Sequence, residues 1–180
     1  MLIFALFLAA TIFVNRETWF TLTPLQTSRA AYGRNPFPEA QIVADYIRAN
    51  SAANACVAVI GSEPEIYFLS HRRSATGYIY TYALMESQPF ARKMQEQMLR
   101  EIETNAPEFI IFADNSLSWA RTSDSCLKIF DWWDSYQTNY IFIGQSETMP
   151  PAKNADGESQ KSTRRPGDFQ TNALKIYRRK

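Results

Sequence analysis

Three short runs of the chain are apolar at nearly every position: Cys56–Ile60 (CVAVI), Phe109–Ala113 (FIIFA) and Tyr140–Ile143 (YIFI). None alternates with polar residues, as a half-exposed strand would. A run of this length with no polar face fits a strand buried on both sides. Gly61 and Gly144 close two of the runs. Segments of helical spacing lie between them. Phe90, Met94, Met98, Leu99 and Ile102 share one side of a helix expected over Pro89–Asn105, which Pro107 terminates. Leu127, Phe130 and Trp133 do the same over Asp124–Ser135, and Ile42, Val43, Tyr46 and Ile47 over Glu39–Asn50. Strands alternating with helices predict βαβ units. The expected fold is α/β: a three-layer sandwich around a mainly parallel, Rossmann-like sheet. Arg73–Thr76 reads as a second short strand, and Ala173–Tyr177 (ALKIY) alternates as a terminal edge strand would.

The amino-terminal segment Leu2–Val14 has thirteen uncharged, mostly apolar residues. At 1.5 Å per residue a helix of that length covers about 20 Å, against a hydrocarbon core of roughly 30 Å. No Lys or Arg precedes Arg16, so the segment lacks the basic start of a signal peptide. It reads as a truncated transmembrane helix, the rival reading being a buried or interfacial helix. Trp19 and Phe20 follow where an interfacial aromatic belt would lie. The division expected is a partial transmembrane helix over 1–14, a linker over 15–38 and an α/β domain over 39–148. A mobile loop over 149–172 and an edge strand with basic tail over 173–180 complete it.

With 180 residues the chain suits one domain with a full core. Formal net charge is only +1, although residues 161–180 hold seven basic residues against Asp168 alone. Such a tail either touches an anionic surface or is merely solvated. A basic face interleaved with aromatics is missing, so nucleic acid is not an expected partner. Cys56, Cys126 and the lone His71 make no zinc pattern, so neither metal nor cofactor is expected. There is no nucleophile elbow, dinucleotide fingerprint or phosphate loop.

Two constellations remain. Gly61-Ser62-Glu63-Pro64-Glu65 joins the first strand to a helical turn, at the strand end where α/β sheets place ligands. Either Ser62, Glu63 and Glu65 contact a ligand, the two glutamates serving as contacts or as acid/base groups, or Ser62 and Glu65 form a capping box with Pro64 in the first turn. His71-Arg72-Arg73 precedes Gly77, Tyr78, Tyr80 and Tyr82. Arg72, Arg73 and Tyr80 either hold a phosphate or sugar, or belong to a polar loop whose arginines pair with Glu63, Glu65 or Glu86. The candidate ligand-binding set is Ser62, Glu63, Glu65, Arg72, Arg73 and Tyr80. Asp114-Asn115-Ser116 follows the second buried strand, a position that suits a catalytic group, but is expected to cap the next turn.

Several stretches together resemble the carboxyl-terminal region of bacterial membrane glycosyltransferases. They are Asn35–Ala40 through Asp45–Arg48, Val57–Phe68 (VAVIGSEPEIYF), Arg72–Thr76 (RRSAT), Tyr80–Tyr82, Leu84–Glu86 and Gln88-Pro89. They are similar to the dolichyl-phosphate-mannose protein mannosyltransferases and the aminoarabinose-transferase-like enzymes of the GT-C type. The resemblance covers roughly residues 1–143. It implies transfer of a sugar from a polyprenyl-phosphate donor, a hexosyltransferase type of activity, by enzymes whose catalytic acid lies near their first membrane helices. This chain has no counterpart of that region, so no catalytic residue is assigned and the chain alone is expected to be inactive. The resemblance further implies attachment to the cell membrane, with the α/β part extracytoplasmic (periplasmic). The partners it implies are the membrane, the parent enzyme's preceding helices, and a lipid-phosphate or glycan ligand. The alternative is a stand-alone, membrane-tethered, Rossmann-like module binding a phosphate- or sugar-containing ligand.

Overall fold

The computed structural model describes residues 1–146 and 173–180. The loop expected over 149–172 lies outside the described residues. Among the described residues fifteen short elements follow one another, and five of them are strands of a single sheet. β1 (Cys56–Ile60), β2 (Arg73–Ser74), β3 (Phe109–Asp114), β4 (Tyr140–Gln145) and β5 (Ala173–Arg179) are arranged in the order β2-β1-β3-β5-β4. β1 runs parallel to β2 and β3, whereas β5 runs antiparallel to both β3 and β4.

This overturns the expected mainly parallel, Rossmann-like sheet. β5 is not an edge strand. It enters between β3 and β4, where its register matches Phe109 to Arg178 and Tyr140 to Arg179. The reason lies in its alternation. Leu174 and Ile176 are fully buried on one face. Tyr177 packs on the other, against Trp133 and Phe142. A strand apolar on both faces is worth more in the sheet interior than at its rim. Inserting it makes the sheet mixed, with the longer ladders antiparallel.

The core divides along the pleat. In β1, Val57 and Val59 face one side while Ala58 and Ile60 face the other, as a period of two requires. The first side is covered by α4 (Phe37–Asn50) and α5 (Glu65–Ser70), through Ala40, Val43, Ala44, Ile47 and Ile66. The second is covered by α6 (Tyr82–Met85), α7 (Ala91–Asn105) and α8 (Lys128–Tyr136). There Leu84, Met98, Ile102, Ile129 and Trp133 meet Ile60 and Ile110. Each fully buried Ile or Leu contributes about 1.5–3 kcal/mol.

The amino-terminal helices stand apart from this core. α1 (Leu2–Val14) and α2 (Arg16–Phe20) bury no residue. α3 (Pro24–Tyr32) is capped by Thr23, whose hydroxyl accepts from the Gln26 amide while Gln26 accepts from the Thr23 amide. Positions 15–38, expected as a linker, therefore carry two helices. Arg29 ties α3 to α4 by donating to Gly33 and Asn35 carbonyls and pairing with Glu39 at 2.5 Å. α1 has the thirteen residues anticipated for a truncated span, but no helix among the described residues is long and apolar enough to cross a membrane. The expected transmembrane helix, and the cell-membrane placement built on it, are corrected accordingly.

Candidate functional site

The carboxyl ends of β1 and β3 lie side by side, and the chain leaving each one turns toward the other. From β1 come Gly61, Ser62, Glu63, Pro64 and Glu65. From β3 come Asn115, Leu117 and Ser118. The extended segment before α6 adds Tyr80, Thr81 and Tyr82, and the α3–α4 junction adds Asn35, Pro36 and Phe37. Between these segments lies a partly open cavity of about 250 Å³, lined by Ser62, Glu63, Glu65, Tyr80, Tyr82 and Ser118 among others.

Gly61 makes the turn possible. A Cβ at this position would overlap the Glu63 carboxylate and the Ala113 methyl. The strand can therefore pass close to β3 and let Glu63 fold back beneath it only because Gly61 has no side chain. Asn115 shapes the opposite wall: its Oδ1 accepts from the Leu117 amide at 3.0 Å and so caps the short 3-10 turn Ser116–Ser118. Asp114, at the end of β3, pairs with Lys175 at 2.6 Å.

A chain of hydroxyls ties the walls together. The Thr81 hydroxyl donates to the Ser118 carbonyl at 3.1 Å, which commits its proton. Ser62 Oγ, 2.9 Å from Thr81 Oγ1, is then the donor between the two, and it accepts from the Thr81 amide at 3.2 Å. The Tyr82 hydroxyl donates to the Leu117 carbonyl at 2.5 Å. Tyr80 lies against the Tyr82 ring with centroids 4.6 Å apart and is 46% exposed, so its ring forms an accessible flank of the cavity.

The centre of the site is Glu63, only 2% exposed. Its Oε1 accepts from the Ser118 hydroxyl, while Oε2 has no hydrogen-bond partner among the described residues. Burial disfavours the ionised form and pushes its pKa up to about 7. The Ser118 hydrogen bond opposes that shift, and repulsion from Glu65 adds to it. Burial also raises the Glu65 carboxyl above its ordinary range, and its Oε1 likewise lacks a partner. No Arg, Lys or His lines this cavity among the described residues. A carboxyl of raised pKa, a second carboxyl and two phenol rings can hold hydroxyl groups and the apolar face of a ring. They offer nothing that would neutralise a phosphate.

Of the six residues predicted from the sequence, Ser62, Glu63, Glu65 and Tyr80 converge here. Arg72 and Arg73 do not. Arg72 is 8% exposed and lies beyond α5. It donates to Ser51 Oγ and to the carbonyls of Arg48, Ser51, Ser70 and His71 at 2.8–3.3 Å, closing the ends of α4 and α5. Arg73 is exposed on β2. Neither the arginine–glutamate pairing nor the capping box forms. α5 starts without a side-chain cap, and Ser62 is engaged with Thr81 instead. Ser118, Leu117, Phe37 and Tyr82 also line the cavity, and none of them is a predicted site residue. A strand end followed by Asp114-Asn115-Ser116 is the sequence signal that pointed nearest to Ser118.

Among the described residues no group of three or more His, Cys, Asp or Glu side chains is placed to hold a metal ion. Cys56 and Cys126 are both free thiols. Compared with protein-family models, curated proteins and solved structures, the chain matches none.

Proposed function

We propose that this chain is a non-catalytic, carbohydrate-binding domain of a glycosyltransferase that uses a polyprenyl-phosphate sugar donor. One observation carries the binding role: two carboxyl residues, Glu63 and Glu65, line a cavity flanked by the rings of Tyr80 and Tyr82, and each keeps one buried oxygen without a partner among the described residues. Buried polar groups are ordinarily satisfied, and a partner from a ligand would meet the need. Aromatic faces covering the apolar side of a pyranose, with carboxyls bonding its hydroxyls, would supply both halves of such recognition. The enzyme family enters through residues. Of the most specific part of the resemblance, Gly61–Phe68 with Arg72–Thr76 and the tyrosines after it, Ser62, Glu63, Pro64, Glu65, Tyr80 and Tyr82 line the cavity, while Arg72–Thr76 lie outside it.

The stand-alone module remains as the second reading, for a sugar ligand only. The acidic lining argues against the phosphate ligand, since among the described residues an anion there would meet Glu63 and Glu65 with no cation in the lining beside it.

The test is a chemical-shift titration of the full chain with methyl glycosides and with the corresponding sugar 1-phosphates. Shifts at Ser62, Glu63, Tyr80 and Ser118 with the glycosides, and weaker ones with the phosphates, are expected. Shifts from the phosphates alone would overturn the assignment. Incubation with polyprenyl-phosphate sugars and acceptors is expected to give no transfer product; reproducible turnover would replace the binding role with a catalytic one.

A further inference from the structure

Resting on the sugar-binding reading, we infer that Arg29 is a positioning residue for the cavity. Without touching the ligand, its guanidinium holds the Asn35–Phe37 lip in the shape that the ligand meets.

The lip is built differently from the other walls. The Ser62–Glu65 and Leu117–Ser118 walls follow β1 and β3 out of the sheet. The Tyr80–Tyr82 wall is tied to both by Thr81, which is fully buried and bonds Ser62 and Ser118. The lip instead follows α3, none of whose residues is buried. Gly33 and Arg34 are exposed, Asn35 is half-buried, and burial begins only at Pro36. Gly33 turns the chain at φ +58°, a conformation that glycine adopts freely. A Cβ there would meet nothing within 4 Å, so no neighbouring wall braces the turn.

Arg29 braces it. Its Nη1 donates to the Gly33 carbonyl at 2.9 Å and to the Asn35 carbonyl at 3.3 Å. Its Nη2 pairs at 2.5 Å with Oε1 of Glu39, in the first turn of α4. α4 is anchored in the core by Ala40, Val43, Ala44 and Ile47. One planar fork thus fixes the turn to an anchored helix through three groups, a geometry that the point charge of a lysine matches poorly. Neither Arg29 nor Glu39 lines the cavity, whereas Asn35 and Phe37 do. The Phe37 ring also meets Tyr32 of α3 edge-on, with centroids 5.0 Å apart. Tyr80 and Tyr82 form a second aromatic pair in the same lining. A displaced lip therefore changes the opening offered to a ligand ring. A lip already ordered binds without further loss of freedom, and a loose one has to be ordered by the ligand, which lowers the affinity.

The experiment compares the full chain with Arg29→Ala, Arg29→Lys and Glu39→Gln. Each is titrated with methyl α-D-mannopyranoside, followed by backbone chemical shifts, and each is put through hydrogen exchange without ligand. Arg29→Ala is expected to lower the affinity about tenfold, as the ordering of one or two residues would. Arg29→Lys is expected to recover part of that loss. Glu39→Gln keeps an acceptor for Nη2 and both carbonyl contacts, and is expected to lose only about twofold. The thermal midpoint is expected to stay in place, because no residue of α3 is buried. Ligand-induced shifts at Ser62, Tyr80 and Ser118 persist near saturation, while those at Asn35 and Phe37 shrink. Without ligand, the amides of Gly33 and Asn35, which bond the Arg29 and Tyr32 carbonyls, exchange faster in Arg29→Ala. Unchanged affinity in Arg29→Ala would overturn the positioning role and leave sugar binding intact. Affinity lost together with thermal stability, with shifts weakened at every site alike, would make Arg29 a purely structural residue and overturn it equally. Unchanged exchange at Gly33 and Asn35 would show that the lip is held by other contacts, and would overturn the inference without reference to any ligand. If the unmodified chain binds no glycoside, the sugar reading falls, and this inference with it.

Discussion

The Ser118 hydroxyl donates a hydrogen bond to Glu63 Oε1 across a separation of 55 residues in the chain. That contact joins the two strand ends around which the candidate site is built. Its loss separates structural from electrostatic roles. Ser118→Ala leaves Oε1 of Glu63 buried without a donor. A buried acceptor deprived of its partner costs about 1–3 kcal/mol. The Ser118 hydrogen bond stabilises the ionised form, so its removal is expected to move the Glu63 transition further upward. Thermal melts as a function of pH check both. The destabilisation should be larger at pH 8 than at pH 5.

Glu63 also makes folding pH-dependent by itself. Its native pKa, about 7, exceeds the ordinary carboxylate value of 4.5. The native state therefore holds the proton over a range in which the unfolded chain releases it. Stability contributed by this group is fully present below pH 4.5 and is lost as pH rises through about 7. At roughly 1.4 kcal/mol per unit, the loss is on the order of 3 kcal/mol. Glu63→Gln is expected to remove this part of the slope and to be the more stable protein above pH 8. Urea unfolding of both proteins at pH 5 and 8 measures it; an unchanged slope would place the titration elsewhere.

Gly61→Ala tests the close passage of β1 against β3. The added methyl meets Ala113 Cβ and the Glu63 carboxylate, neither of which can swing away into solvent. Overpacking of this kind costs about 1–3 kcal/mol, and the shift forced on Glu63 is expected to abolish glycoside binding as well. A folded variant with full binding would show that the site tolerates a wider turn.

Arg72 was read from the sequence as a candidate for the ligand, and its structure shows why the residue type misled. An arginine next to tyrosines looks the same in a sequence whether its guanidinium meets an anion or a set of carbonyls. Here it bonds the ends of α4 and α5, contacts that a reading of local spacing cannot foresee because Ser51 lies 21 residues away. Lys supplies fewer donors in the wrong shape. Arg72→Lys is therefore expected to cost about 2–4 kcal/mol in stability while leaving glycoside affinity unchanged in the folded fraction. A binding defect at full stability would return Arg72 to the site.

The parts legible in advance share one property: they depend on neighbours in sequence. β1 spans the predicted Cys56–Ile60, and β3 and β4 extend predicted runs by one and two residues, because each apolar run is bounded by Gly, Asp or Pro. Ser62, Glu63 and Glu65 were found because a strand end already orders them. The position of β5 was not legible. Its alternation marks a strand, but its entry between β3 and β4 depends on register with Phe109–Asp114 and Tyr140–Gln145, where each paired residue is 30 or more positions away. Ser118 and Phe37 were missed for the same reason, since they reach Glu63 and its cavity only through the folded sheet.

Gln95 offers a further test of a group whose role is invisible in sequence. It lies in the middle of α7, where an amphipathic pattern would place an apolar residue, and it is fully buried. Its Nε2 donates to the carbonyls of Leu84 and Cys126 at 2.8 Å, while its Oε1 accepts from the Ile129 amide at 3.1 Å. Ile129 is in the first turn of α8, which has no side-chain cap of its own. Gln95 thus caps α8 from a neighbouring helix and holds α6 in place at the same time. Gln95→Leu leaves two carbonyls and one amide unpaired, at roughly 1–3 kcal/mol each before relaxation. Gln95→Glu is the sharper variant. An ionised carboxylate would still accept from Ile129 but would face two carbonyl oxygens. As a neutral acid it would donate to one of them. Its native pKa must therefore be raised, so the stability it contributes is present at low pH and lost as pH rises. Gln95→Glu is expected to approach the parent protein near pH 4 and to fall behind steadily up to pH 8, in chemical denaturation followed by tryptophan fluorescence. A deficit independent of pH would show that water reaches this position and that the three hydrogen bonds are not a sealed cap.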